Sequence, residues 1–196
     1  LSGSVGFVAD VSVPDQAKRL IDETLKTHSR IDGVVCNVGS GSSVPPGSED
    51  FDEWQRVFSE NLWSTTNIVE AASEALAKNK GSIVCTSSIC GLEVVPAAPV
   101  TYSTAKAALH AYVRGISRPL GKSGVRINAI APGNILFEES VWKRKLEESA
   151  GAVAEMLDRD VALGKLGTPE DVANLAAYLL SPVSCFATGS VWTLDG

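Results

Sequence analysis

Apolar residues along this chain follow two alternating rhythms. Short β-rich runs appear at 5–10 (VGFVAD), 31–39 (IDGVVCNVG), 81–88 (GSIVCTSS), 125–133 (VRINAIAPG) and 189–195 (GSVWTLD). Between them lie longer stretches with helical spacing, from about Pro14 to His28, Glu49 to Ala77, Pro99 to Leu120 and Pro169 to Leu180, and a polar amphipathic stretch from Glu138 to Asp160. The runs VVCNV and SIVC are continuously apolar, as expected of strands covered by helices on both faces of a parallel sheet. The pattern predicts an α/β fold with a doubly wound parallel sheet, Rossmann-like and three-layered, in a single domain spanning 1–196. Thr168, Pro169 and Glu170 predict a helix start: a hydroxyl cap, a proline in the first turn, and an acid facing the positive end of the helix dipole.

Composition narrows the classes. At 44% apolar and 20% charged the chain is ordinary for a globular domain, and its net charge of −6, without a block of like charges, gives no footprint for nucleic acid or an anionic membrane. No apolar run approaches the roughly 18 residues a membrane span needs, so a soluble, cytoplasmic protein without a nucleic-acid or membrane partner is expected. Cys36, Cys85, Cys90 and Cys185 form no CxxC pair, and His28 and His110 have no ligand-spaced partners, so no metal site is expected.

The chemistry-bearing residues gather just past the predicted carboxyl ends of strands, where open α/β sheets bind ligands. Asp10 follows the first run; Asn37, Gly39 and Gly41 the second; Ser87, Ser88 and Gly91 the third; Pro132 and Gly133 the fourth. Tyr102 and Lys106 stand at i and i+4, one above the other on a helix face, where an ammonium can favour the phenolate. That spacing alone is weak evidence, and each glycine alone reads as a turn former.

Taken together, Tyr102-x-x-x-Lys106, Ser88 fourteen residues before Tyr102, Asn61 in SENLWST, CNVG at 36–39, DV at 10–11, INAIAPG at 127–133 and LGTPEDVA at 166–173 resemble the short-chain dehydrogenase/reductase family over almost the whole chain. The resemblance implies an NAD(P)-dependent oxidoreductase acting on a secondary alcohol or ketone, with NAD or NADP as cofactor and a preference not readable here. It implies a proton-exchanging Tyr102, with Lys106 lowering the phenol pKa and holding the nicotinamide ribose. Ser88 places the substrate oxygen, Ser87 being its rival, and Asn61 helps hold a water. Asp10 and Val11 belong to the adenine pocket, Asn37, Val38 and Gly39 pass the adenosine ribose, and Pro132, Gly133 and Ile135 reach the carboxamide. It also implies a homodimer or homotetramer built on the helices from Glu49 and Pro99.

This chain departs from the family in three places. Val38 adds bulk in the CNVG turn, and Phe137 stands where a cofactor-binding threonine is common. No glycine-rich loop enters a helix, so the first two strands and the phosphate loop are expected to precede residue 1. The run at 5–10 is then the third strand of the order 3-2-1-4-5-6, separated from 31–39 by the missing pair. Residues 134–163 read as a substrate lid. A non-catalytic module of the same fold, and a related lyase or epimerase, are the alternative readings.

Overall fold

The computed structural model describes residues 3–96 and 98–196. Four strands, β1 (Gly33–Cys36), β2 (Ser82–Thr86), β3 (Arg126–Pro132) and β4 (Val191–Leu194), form one parallel sheet in the order β1-β2-β3-β4. Val34 pairs with Ile83, Ile83 with Ile127, and Ile130 with Trp192. Helices α1 (Pro14–His28), α2 (Phe51–Phe58), α3 (Ser64–Asn79), α4 (Val100–Lys122), α5 (Val141–Asp160) and α6 (Pro169–Leu180) complete the expected alternation.

The pleat explains the three layers. Alternate strand residues Ile83, Cys85, Ile127 and Ala129 pack with Ala17 and Ile21 of α1, Ala72 and Leu76 of α3, and Leu109 and Val113 of α4. Residues of the opposite pleat, Val84 and Ile130, pack with Leu179 and Leu175 of α6 on the other side. Two buried polar groups tie the layers. Ser82 donates to the Leu179 carbonyl (2.9 Å), and Asn128 donates to Ala187 O (2.9 Å) while accepting from Ser190 N (3.2 Å), which fixes β4 beside β3. Cys36 and Cys85 sit opposite each other in the ladder, both buried, and their mutual hydrogen bond together with burial pushes the Cys85 thiol up, so it packs as a small apolar group.

Helix starts follow the sequence chemistry. Thr168 caps α6 with a reciprocal box: its hydroxyl accepts from Asp171 N, and the Asp171 carboxylate accepts from Thr168 N at 2.8 Å. Asp50 caps α2 and Ser140 caps α5 in the same way, each accepting from a backbone N–H three residues on.

Two expectations are corrected. Residues 5–10 form no strand; that they do not pair with the run at 31–39 is as expected, and none of the described strands pairs with the free edge of β1. The local β pattern is present, but a strand exists only through a neighbour's ladder, and Val8 stands fully in solvent. Beside β1 lies a cleft of about 270 Å3, floored by Val11, Ile21, Ile31 and Val34. The run expected as one helix over 49–77 is α2 and α3 joined by a π-helical turn at Ser59–Trp63. Among the described residues no helix is long and apolar enough to cross a membrane.

Candidate active site

Because all four strands are parallel, β1, β2 and β3 end on one edge of the sheet, and most of the expected residues lie along it. On α4, Tyr102 and Lys106 share a face, with the Lys106 ammonium 5.6 Å from the centre of the phenol ring. Lys106 is only 4% exposed, and its Nζ donates to the Thr86 carbonyl at the end of β2 (3.0 Å). Burial pushes its pKa down to about 8, with Cys85 and Cys90 acting weakly in the other direction.

The phenol behaves differently from the simple spacing argument. Burial raises the Tyr102 pKa, the Ser88 hydroxyl opposes that by hydrogen bonding, and Cys90 adds to the rise. The expected lowering by Lys106 is therefore not what governs this pocket. The ammonium is engaged with Thr86 and stands 5.6 Å from the ring centre, and desolvation is the largest influence on the phenol.

The two serines have different partners. Ser87 Oγ lies 2.6 Å from His110 Nε2, and both residues are buried. Ser88 caps a short 310 turn at Ile89–Gly91, accepting from Cys90 N at 3.1 Å, and turns its hydroxyl toward Tyr102. Gly91 is needed here for space: a Cβ would fall 2.7 Å from Lys106 C and 2.8 Å from Ala107 N, so only glycine lets this turn sit against α4.

Asn61 lies in the middle of the π turn, fully buried. Its Nδ2 donates to Val57 O (3.0 Å), the carbonyl four residues back that a π turn leaves without its usual partner. The same group donates to Ser40 O (3.0 Å), and Oδ1 accepts from Ser40 N (3.2 Å). Asn61 thus holds the loop after β1. A Cβ on Gly39 would lie 2.8 Å from Asn61 Oδ1 and 3.3 Å from Lys106 Nζ, so Gly39 sits in the narrow space between them. Asn37 and Val38 precede it, both exposed. Gly41 passes beside the phenol, where a Cβ would be 3.9 Å from Tyr102 Cζ.

Asp10 and Val11 stand at the start of α1. Asp10 Oδ1 accepts from Ser12 N (3.0 Å) and Ser12 Oγ (2.7 Å), which keep the carboxyl below its ordinary pKa and leave Oδ2 free of any bond to these groups. Asn67 of α3 donates to Val11 O (3.1 Å) and Ser12 O (2.9 Å), anchoring this corner. At the end of β3, Pro132 and Gly133 turn against β4: Gly133 N donates to Leu194 O (3.0 Å), and a Cβ there would lie 2.8 Å from Asp195 Cβ. Ile135 forms a bridge with Gly167, where its side chain occupies the space that a Cβ would need.

The structure adds residues the sequence reading passed over. His110, i+4 from Lys106, was visible as the next position on the same face. The cluster of Ser43, Glu53, Arg56 and Thr101 had no spacing signal, because its members come from three separate segments. Ser43 Oγ is 2.6 Å from Glu53 Oε1 and 2.7 Å from Thr101 Oγ1, and Arg56 pairs with both Glu53 and Glu60.

The sequence model described as Enoyl-(Acyl carrier protein) reductase matches residues 1–196. The chain is 33% identical to the 3-oxoacyl-[acyl-carrier-protein] reductase of Chlamydia muridarum, over 96% of this chain and 74% of that protein. It is 30% identical to isoepoxydon dehydrogenase of Penicillium expansum, over 98% of this chain and 73% of that protein. Among solved structures, ElxO with NADP bound superposes with a TM-score of 0.87 at 26% identity, over 97% of this chain and 76% of that one. An NADPH-bound short-chain oxidoreductase of Pseudomonas aeruginosa also superposes with a TM-score of 0.87 at 26% identity, over 97% and 74%. The chain belongs to the short-chain dehydrogenase/reductase family, enzymes that interconvert CH–OH and C=O groups.

Proposed function

We propose that this chain is an NAD(P)-dependent oxidoreductase of a secondary alcohol or ketone, with Tyr102 as the proton donor in reduction and acceptor in oxidation. The observation that carries the reading is the buried Lys106 ammonium. It has three N–H donors and spends one on Thr86 O, on a site edge next to a phenol that faces a serine hydroxyl. A binding module without chemistry gains nothing from an ammonium taken out of water.

The residues present fit the cofactor's adenosine and nicotinamide ends. The remaining Lys106 donors suit a ribose diol, the Gly39 space admits a sugar close to the backbone, and Asp10 offers a carboxylate oxygen to an exocyclic amine. NADP or NADPH is bound in two of the solved relatives. When bound, the nicotinamide supplies the hydride chemistry. Ser88 orients the substrate oxygen by hydrogen bonding, its own oxygen being fixed by Cys90 N. Tyr102 gives that oxygen a proton in reduction and takes it back in oxidation, and burial keeps the phenol in its protonated form at neutral pH.

Residues 134–163 serve as the lid. Their root is pinned by Leu136 N to Gly167 O (2.8 Å) and Gly167 N to Asn134 O (2.9 Å). Beyond it, α5 buries only Val153 and breaks at Ser149, while Phe137 is exposed. A segment held at its root and loosely packed above is suited to close over substrate.

The test is Tyr102→Phe in the full chain, assayed with a panel of cyclohexanol, glucose and an acetoacetyl thioester and both nicotinamide cofactors. Turnover is expected to fall by at least about 100-fold, with cofactor affinity within roughly threefold of wild type. Retention of most of the wild-type kcat rules the role out.

A further inference from the structure

Tyr102, Lys106 and His110 occupy three successive i+4 positions of α4, and the first two are given work by the proposed chemistry. His110 is 2% exposed, its imidazole held at both ends. Nδ1 lies 3.2 Å from Gly91 O and Nε2 lies 2.6 Å from Ser87 Oγ. A carbonyl can only accept, so Nδ1 carries the proton, and Nε2 must then accept from the Ser87 hydroxyl. Burial lowers the His110 pKa against the opposing pull of the hydrogen bond to Gly91 O, and the nearby Arg114 and Lys106 cations add to the lowering, so this neutral tautomer is the favoured form.

The two anchor points bracket Ser88. Ser87 is also fixed to the sheet through its N–H to Ile130 O (2.7 Å), and Gly91 lies flush against α4 at Lys106 and Ala107. The segment between them is a 310 turn whose cap is Ser88 itself, with Gly91 N bonded to Ser88 O at 3.1 Å. Resting on the assignment of Ser88 as the substrate-orienting hydroxyl, we propose that His110 is a positioning residue: its imidazole clamps Ser87 and Gly91 to the helix that carries Tyr102, and so sets the distance between the Ser88 hydroxyl and the phenol.

A clamp of this kind acts on turnover through Ser88 alone. Placement errors near 1 Å cost up to about 100-fold in rate, so His110→Phe, which keeps the ring and removes both hydrogen bonds, is expected to lower kcat by roughly 10- to 100-fold. In a Ser88→Ala background the same change is expected to cost no more than about twofold, because the group it positions is gone. A purely structural role would cost the same in both backgrounds, and that result overturns the proposal, as does a His110→Phe variant with wild-type kcat. A second readout does not involve turnover: nitrogen NMR of the imidazole is expected to show the neutral Nδ1–H tautomer, and the Nε2–H tautomer overturns the clamp. Should His110→Phe fail to fold, Ser87→Ala takes its place in the same cycle, removing one of the two bonds, with the same pair of outcomes. Wild-type kcat in Ser88→Ala alone is a separate result, and it removes the assignment of Ser88 instead.

Discussion

At Lys106 the proposed chemistry and the stability of the fold pull in opposite directions. Its pKa falls from 10.5 to about 8 on folding because the ammonium loses water, and a shift of that size corresponds to roughly 3 kcal/mol of destabilisation at neutral pH. The folded state binds the proton more weakly than the unfolded chain. The cost is therefore fully present below pH 8 and disappears as pH rises from about 8 to 10.5. Lys106→Met is expected to stabilise the cofactor-free protein by about 2 kcal/mol at pH 7, the gain being reduced by the unpaired Thr86 carbonyl, and to flatten the rise in stability above pH 8. Urea denaturation of both proteins at pH 7 and pH 10 measures it. The same variant is expected to weaken cofactor binding and turnover together, and equal stability at both pH values in the two proteins counts against the assigned burial cost. Gly39 gives a second residue-scale test. Ala at that position places a Cβ 2.8 Å from Asn61 Oδ1, which cannot swing away without releasing Ser40 N, so Gly39→Ala is expected to cost about 1–3 kcal/mol. A thermal unfolding midpoint matching wild type would show that the loop yields freely. At this scale the sequence revealed residue types and spacing but not environment. Tyr102 and Lys106 were legible four residues apart, whereas the upward push on the phenol comes from the walls around it, supplied by distant segments.

At the scale of elements, two helices were legible end to end from local chemistry: α1 runs Pro14–His28 behind a proline at its first position, and α6 runs Pro169–Leu180 behind a proline and the Thr168 cap, as the sequence predicts. The π turn at Asn61 was not, since a polar residue within an apolar helical run leaves the hydrogen-bond register undetermined. The strand expected at 5–10 failed for the opposite reason, a clear local pattern without a neighbouring ladder. Helix α2 carries its own prediction. Arg56 first, then Ser43, hold the Glu53 carboxyl down to about 2, and Ser43 links it to Thr101, the residue before Tyr102. A depressed carboxyl pKa contributes stability above its unfolded value near 4.5 that is lost as pH falls through about 2. Acidification across that window is expected to release the loop at 42–50 from α2 and the start of α4, seen as faster amide exchange there. Glu53→Gln is expected to show the faster exchange already at pH 6. Identical exchange in both proteins at every pH would mean the cluster does not hold the loop.

For the whole molecule, the outer sides of the two long helical runs carry exposed apolar surface. Trp54, Phe58 and Trp63 form a chain of ring contacts, the first pair tilted at a centroid distance of 5.9 Å and the second edge-on at 6.4 Å, and Trp63 is 40% exposed. Phe51, one turn before Trp54, is 73% exposed. On α4 the outward stripe is Val100, Thr104, Ala107, Ala111 and Gly115, small enough for another helix to approach closely. Burying large aromatics and a small-residue stripe against copies of themselves suits a two-fold interface, in which each patch meets its own equivalent. A homodimer or homotetramer through these faces is the assembly the family resemblance implies. Its disruption should be selective: Ala111→Arg puts a long charge against its own symmetry mate while leaving the buried face of α4 untouched. The variant is expected to sediment as a monomer at micromolar concentration, with wild type at twice the mass or more. Equal sedimentation of the two, both oligomeric, would place the interface elsewhere, and a monomeric wild type would leave these aromatics as plain surface.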